Sequence, residues 1–148
     1  MESAGSVPNA SEVASALRVA TGLLYRKLKQ TQPEGELTLA ESSALGRLER
    51  FGPASSSELA RVDRISPQSM GVTVAALLER GLIERSRDAE DGRRIVLSVT
   101  EAGRQVVHDK RGKRTEQIAA ALRDGFTDAE LTLLMTAAPL LERLAEKI

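Results

Sequence analysis

Between Ser66 and Glu79 the polar and small residues Gln68, Ser69, Val72 and Ala76 share one side of a helical period, with Thr73 at its border. Met70, Val74, Leu77 and Leu78 occupy the other side. A glutamine amide carries a donor and an acceptor together and matches the N6/N7 edge of adenine. A serine hydroxyl bonds either a base or a phosphate, and an outward valine offers the apolar contact that a thymine methyl takes. Such a face is slim and polar, as a helix entering a groove about 12 Å wide must be. No Lys or Arg lies between Ser66 and Glu79, so positive charge for a polyanion has to come from Arg61, Arg64, Arg85, Arg87, Arg93 and Arg94. Over 61–94 seven arginines face six acids, a near balance that leaves geometry to gather the cations on one surface.

Other chemistries are poorly supplied. The 148 residues contain no cysteine, which removes disulfides, thiolate metal sites and thiol redox sensing. The single histidine, His108, is too little for a histidine metal cluster and is expected on an exposed helix surface. No nucleophile elbow, P-loop or dinucleotide glycine pattern occurs, so neither an enzyme nor a cofactor is expected. Lys plus Arg and Asp plus Glu both count 21, so net charge neither suggests nor excludes a nucleic-acid partner. No apolar run approaches the roughly 18 residues of a membrane span, and MESAGSVPNASE lacks the layout of a signal peptide. A cytoplasmic protein with no membrane partner is the expectation.

The elements that must hold that face can be read from caps and periods. Asn9 with Glu12, Thr38 with Glu41, Ser55 with Glu58 and Thr127 with Glu130 form four capping boxes, each opening a helix. The first carries Val13, Leu17, Ala20, Leu24 and Leu28 up to the break TQPEGE, and the second runs through Leu45 and Leu48 to Gly52-Pro53. A short helix ELARV and a connection from Asp63 to Ser66 follow. Ser66-Pro67 then starts the helix described above, because proline at the first helical position loses no needed hydrogen bond. Gly81 ends it. LIERS (82–86) and RIVLSV (94–99) are short, β-branched and joined by a polar loop with an Asp-Gly turn, which predicts a hairpin. A helix from Thr100 to about Asp124 and a last one after Thr127, bent at Pro139, complete the chain. Only Tyr25, Phe51 and Phe126 are aromatic, so the core must be aliphatic.

The fold class expected is mainly α with a small β-hairpin: a winged helix-turn-helix over 36–99, an N-terminal helix over 1–35 and C-terminal helices over 100–148. The apolar stripes of the flanking helices, with Leu131, Leu134, Leu141 and Leu144 on the last, exceed what that middle segment can cover. A homodimer is therefore expected.

Residues 55–103, SSSELARVDRISPQSMGVTVAALLERGLIERSRDAEDGRRIVLSVTEAG, resemble the core of the MarR family, the multiple-antibiotic-resistance type regulators. ELA, LLERGLIER, Asp91-Gly-Arg93-Arg94 and LSVTEAG carry the likeness, and the flanking helices extend it over nearly the whole chain. The resemblance implies a dimer clasped by its terminal helices. It implies binding of a near-palindromic operator in double-stranded DNA, most often as a repressor, and a cavity for a small aromatic or phenolic effector. It also implies that Asp91 and Arg93 act as a unit, the carboxylate holding the guanidinium toward a narrow minor groove. The chain departs from the family at position 72, where a basic residue is common and Val72 stands. The DNA-contact candidates are Ser55, Arg64, Ser66, Gln68, Ser69, Val72, Thr73, Arg87, Asp91, Arg93 and Arg94. The run Lys110-Arg111-Gly-Lys113-Arg114 scatters around a helix and reads as a solvated face. An alternative reading, prompted by the uncharged helix, is a winged-helix module that binds a protein partner.

Overall fold

A computed structural model describes residues 5–109 and 112–148, so Lys110 and Arg111 of the basic run lie outside the described residues. The elements are α1 (Ala10–Gln30), α2 (Leu39–Phe51), α3 (Ser56–Asp63), α4 (Pro67–Glu79), β1 (Ile83–Arg87), β2 (Ile95–Val99), α5 (Glu101–Val107), α6 (Lys113–Gly125) and α7 (Asp128–Lys147). This is a winged helix-turn-helix with flanking helices. Capping boxes close reciprocally at Asn9, Ser55 and Thr127. At Thr38 the hydroxyl accepts from the Glu41 amide without a return bond from Glu41.

The expected helix from Thr100 to Asp124 is two helices. α5 ends at Val107, His108 sits in a turn, and Gly112 takes an extended conformation (φ −60°, ψ 153°) as it enters α6. Val106 and Val107 before this polar stretch and Ile118 and Leu122 after it fit one helical stripe, which is why it reads as one helix. The chain falls into two compact units, one ending at Val107 and one beginning at His108.

The first unit holds the core. Leu37, Ala44, Leu45, Leu48, Leu59, Ala60, Met70, Val74, Leu77, Leu82, Ile83 and Leu97 form one aliphatic cluster contributed by α2, α3, α4 and the hairpin. β1 and β2 pair antiparallel, with Ile83 opposite Val99 and Arg87 opposite Ile95. Ala54 adds a one-residue third strand, exchanging both backbone hydrogen bonds with Leu97 (3.2 and 2.8 Å).

α5 is anchored by Thr100 and Gly103. The Thr100 hydroxyl donates to the Gly81 carbonyl (2.7 Å) and accepts from the Gly103 amide (3.1 Å). A Cβ at position 103 would lie 2.1 Å from the Leu82 carbonyl oxygen and 2.7 Å from a Val99 methyl. Only glycine permits that approach.

α1, α6 and α7 bury no residue within one copy of the chain. No helix among the described residues is long and apolar enough to cross a membrane.

Candidate nucleic-acid interface

α3, the turn after it and α4 make the helix-turn-helix. The turn is tight because α3 ends in a paired closure: the Ile65 amide bonds the Ala60 carbonyl (3.0 Å) and the Arg64 amide that of Arg61 (3.3 Å). This closure requires a left-handed residue, and Arg64 supplies it at φ 53°. α4 ends the same way, with Leu82 bonding Leu77 and Gly81 bonding Leu78 (both 3.0 Å), and there Gly81 takes φ 69°. Ser66 caps α4 by accepting from the Ser69 amide (3.1 Å), with Pro67 following. The Ser66 hydroxyl also donates to the Ser69 hydroxyl (2.9 Å), which leaves Ser69 its own proton to give outward.

The outer face of α4 matches its residue types. Gln68 and Ser69 are exposed, and Val72 is 73% exposed, an unusual degree for a valine within a helix that buries Met70, Val74 and Leu77. Thr73 lies on the core side rather than at the border. It is buried, and its hydroxyl turns back to the Ser69 carbonyl (3.2 Å), one turn earlier in the helix. Its side chain braces α4 instead of facing outward. Ser55 is half-buried and engaged in its capping box, accepting from the Glu58 amide at 3.2 Å. Arg64 is exposed at the turn.

The wing differs from the sequence expectation in one respect. The Asp91 carboxylate accepts from the backbone amide of Arg93 (3.1 Å), and among the described residues no ion pair joins the two side chains. Asp91 therefore shapes the turn and does not aim the guanidinium; the Arg94 amide closes the same turn on the Asp91 carbonyl (3.0 Å). Arg87 donates to the Gly92 carbonyl (3.0 Å). Arg94 reaches away from the tip, pairing with Glu58 on α3 and with Asp88 (3.5 Å).

Sequence reasoning treated Glu58 as a helix cap only. Its second partner, Arg94, stands 36 positions later, and no local pattern links them. Elsewhere, Arg47 forms an ion pair with Asp63 (3.7 Å) and lies over the Phe51 ring, beside a cleft of about 300 Å³ lined also by Pro53, Leu59, Arg61 and Val62.

This arrangement of helices and wing defines a winged helix-turn-helix regulator. The model of the MarR family matches residues 36–94. An HTH-type transcriptional regulator of Mycobacterium tuberculosis is 31% identical over 93% of this chain and 95% of its own length. YpoP, an HTH-type transcriptional regulator of Bacillus subtilis, is 34% identical over 76% of this chain and 84% of its own. Among solved structures, a candidate transcriptional regulator from Pseudomonas aeruginosa aligns with a TM-score of 0.67 at 29% identity, covering 94% of this chain and 98% of that one. BpsR of Bordetella bronchiseptica, whose DNA binding is regulated by 6-hydroxynicotinic acid, aligns at a TM-score of 0.55 and 26% identity over 90% and 98% of the two chains. The chain belongs to the MarR family of DNA-binding transcriptional regulators.

Proposed function

We propose that the protein is a homodimeric repressor that reads a near-palindromic operator, with α4 in the major groove and the wing at the adjacent minor groove. The observation that carries this reading is the outer face of α4. An apolar side chain exposed to 73% beside Gln68 and Ser69, on a helix braced by its own cap, suits base edges. Arg64 and Arg93 would meet phosphates or the minor groove on either side, and Ser55 a phosphate through the N-terminus of α3. The absence of buried residues on α1 and α7 supports dimerisation through those helices.

Modulation by a small acidic aromatic ligand is supported by the likeness to BpsR, whose DNA binding responds to such a molecule. Operator selection from a random duplex library by the purified protein tests the reading. It should return a sequence with two-fold symmetry and half-sites about one helical turn apart. Affinity for that duplex should fall steeply with salt, because phosphate contacts release counterions. The uncharged α4 also fits a winged-helix module that docks on a protein. Binding that selects no sequence and ignores salt would favour that second reading.

A further inference from the structure

We propose that Arg94 is a positioning residue: it ties the wing's loop to α3 through Glu58 while Arg87 closes the loop beside it, and of these three loop arginines only Arg93 is left to carry its guanidinium to the duplex. This rests on the DNA-reading function proposed above and assigns parts within it.

Glu58 is held before Arg94 arrives. One carboxylate oxygen accepts from the Ser55 amide (3.1 Å) in the capping box, so the side chain is already fixed at the entrance to α3. The other oxygen takes the Arg94 guanidinium. Arg94 is also held at its backbone: its amide bonds the Asp91 carbonyl (3.0 Å), and its carbonyl accepts from the Asp88 amide (2.8 Å). A second guanidinium nitrogen lies 3.5 Å from the Asp88 carboxylate. An exposed ion pair between two free side chains contributes little, because ordering both costs entropy. Here each partner is pre-ordered by other bonds, and that cost is largely met. The pair joins the wing to the helix that sets the position of α4.

Arg87 closes the tip from the other strand through Gly92. Arg93 is exposed, and among the described residues its guanidinium makes no hydrogen bond or ion pair. Two carboxylates already hold Arg94, and a phosphate would have to displace them. None holds Arg93.

Salt dependence separates a bracing arginine from a contacting one. Each lost phosphate contact lowers the slope of log affinity against log salt by about 0.9. A bracing residue changes affinity and leaves the slope alone. The experiment is fluorescence anisotropy between about 50 and 200 mM salt, on the selected operator duplex and a scrambled one. The variants are R93A, R94Q, R94K and E58Q, where glutamine keeps the capping box.

R93A should lower the slope by about one on both duplexes. R94Q should weaken operator binding about tenfold with an unchanged slope. E58Q should weaken it in the same sense but less, and R94K, which still reaches Glu58, should bind close to the unmodified protein. The double variant E58Q/R94Q should be no weaker than R94Q alone. Should R94Q fail to fold, E58Q carries the test by its sign. If Arg94 contacts DNA, removing the competing charge at Glu58 tightens binding. A tightened E58Q, or a slope lowered by R94Q, overturns the proposal. If the unmodified protein binds no duplex, the DNA-reading function fails and this division of tasks with it; specific binding with those slopes exchanged sinks the division alone.

Discussion

Leucine is used in two ways along this chain. In the first unit, Leu45, Leu48, Leu59 and Leu77 are fully buried and, with Met70, close a core from α2, α3, α4 and the hairpin. In α7, Leu133, Leu134, Leu140, Leu141 and Leu144 all remain exposed, between 41% and 69%, and α1 leaves Leu23 and Leu24 more than half exposed. Local chemistry does not distinguish the two sets, since both follow helical periods with good caps. The difference lies in what surrounds them. Short connections and a hairpin fold α2 through β2 onto each other, whereas α1 and α7 have stripes that one copy leaves uncovered. The first region covers its own apolar side chains; the second leaves an apolar surface that the proposed dimer would cover.

The largest effect should come from breaking that second surface. Replacing Leu134 and Leu141 with glutamate places four charges in each dimer where leucines would be buried, each worth roughly 1.5–3 kcal/mol. Sedimentation at micromolar concentration should change from one species of twice the chain mass to a monomer. Hydrogen exchange should still protect α2 and α4, because their core is internal. A persisting dimer sinks the assignment of α7, and loss of protection in α2 and α4 breaks the contrast between the two regions.

Damage confined to the first unit should be smaller. Gly103→Ala places a methyl 2.1 Å from the Leu82 carbonyl oxygen, a backbone atom that accepts from the Thr100 amide (3.0 Å). Moving α5 off the hairpin is the only relief, and overpacking of this kind costs about 3 kcal/mol. Urea unfolding should show that loss with little change in m-value. An unaltered midpoint would mean that α5 is not seated as described.

These cases show which parts of the molecule could be read from the chain alone. Asn9, Ser55, Ser66-Pro67, Gly81 and Thr127 act within four residues of themselves, so the helix boundaries they set were legible. So was the face of α4, since a period of 3.6 places Gln68, Ser69 and Val72 opposite Met70 and Val74. The break after Val107 was not, because Val107, Ile118 and Leu122 keep one helical spacing across it, although Gly112 enters α6 in an extended conformation. Thr73 reads as a border residue, but its side chain is buried and its hydroxyl finds a bond inside the helix. The pairing of Glu58 with Arg94 and the bridge from Ala54 to Leu97 join distant positions and depend on the fold being assembled.

Within the DNA-reading surface, Gln68→Ala should cost about 1–3 kcal/mol at the operator and relax preference at one position of each half-site. The same variant should bind scrambled duplex nearly as well as the unmodified protein. Val72 offers a sharper check. Replacing thymine by uracil removes only the methyl group, so a single substituted position in each half-site should weaken the unmodified protein and leave Val72→Ala unaffected. Equal losses for both proteins at every thymine would mean that Val72 touches no base.

The smallest effect concerns the two identical helix endings. α3 and α4 close with the same pair of backbone bonds, yet one uses Gly81 at φ 69° and the other Arg64 at φ 53°, the only non-glycine at positive φ among the described residues. A side chain in the left-handed region costs about 1–2 kcal/mol. Glycine would remove that strain but enlarge the entropy of the unfolded chain, worth about 0.4–1 kcal/mol in the other direction. Arg64→Gly should therefore raise stability by a net ~0.5–1 kcal/mol, while affinity for both operator and scrambled duplex falls as a phosphate contact is lost. Gly81→Ala, with open space around its added methyl, should lower stability through the same strain and leave the salt slope of binding alone. The opposite signs at two equivalent positions are the test. If Arg64→Gly is destabilising, the arginine side chain holds the turn itself; if it is stabilising and binds DNA undiminished, the strain at Arg64 serves no contact with the operator.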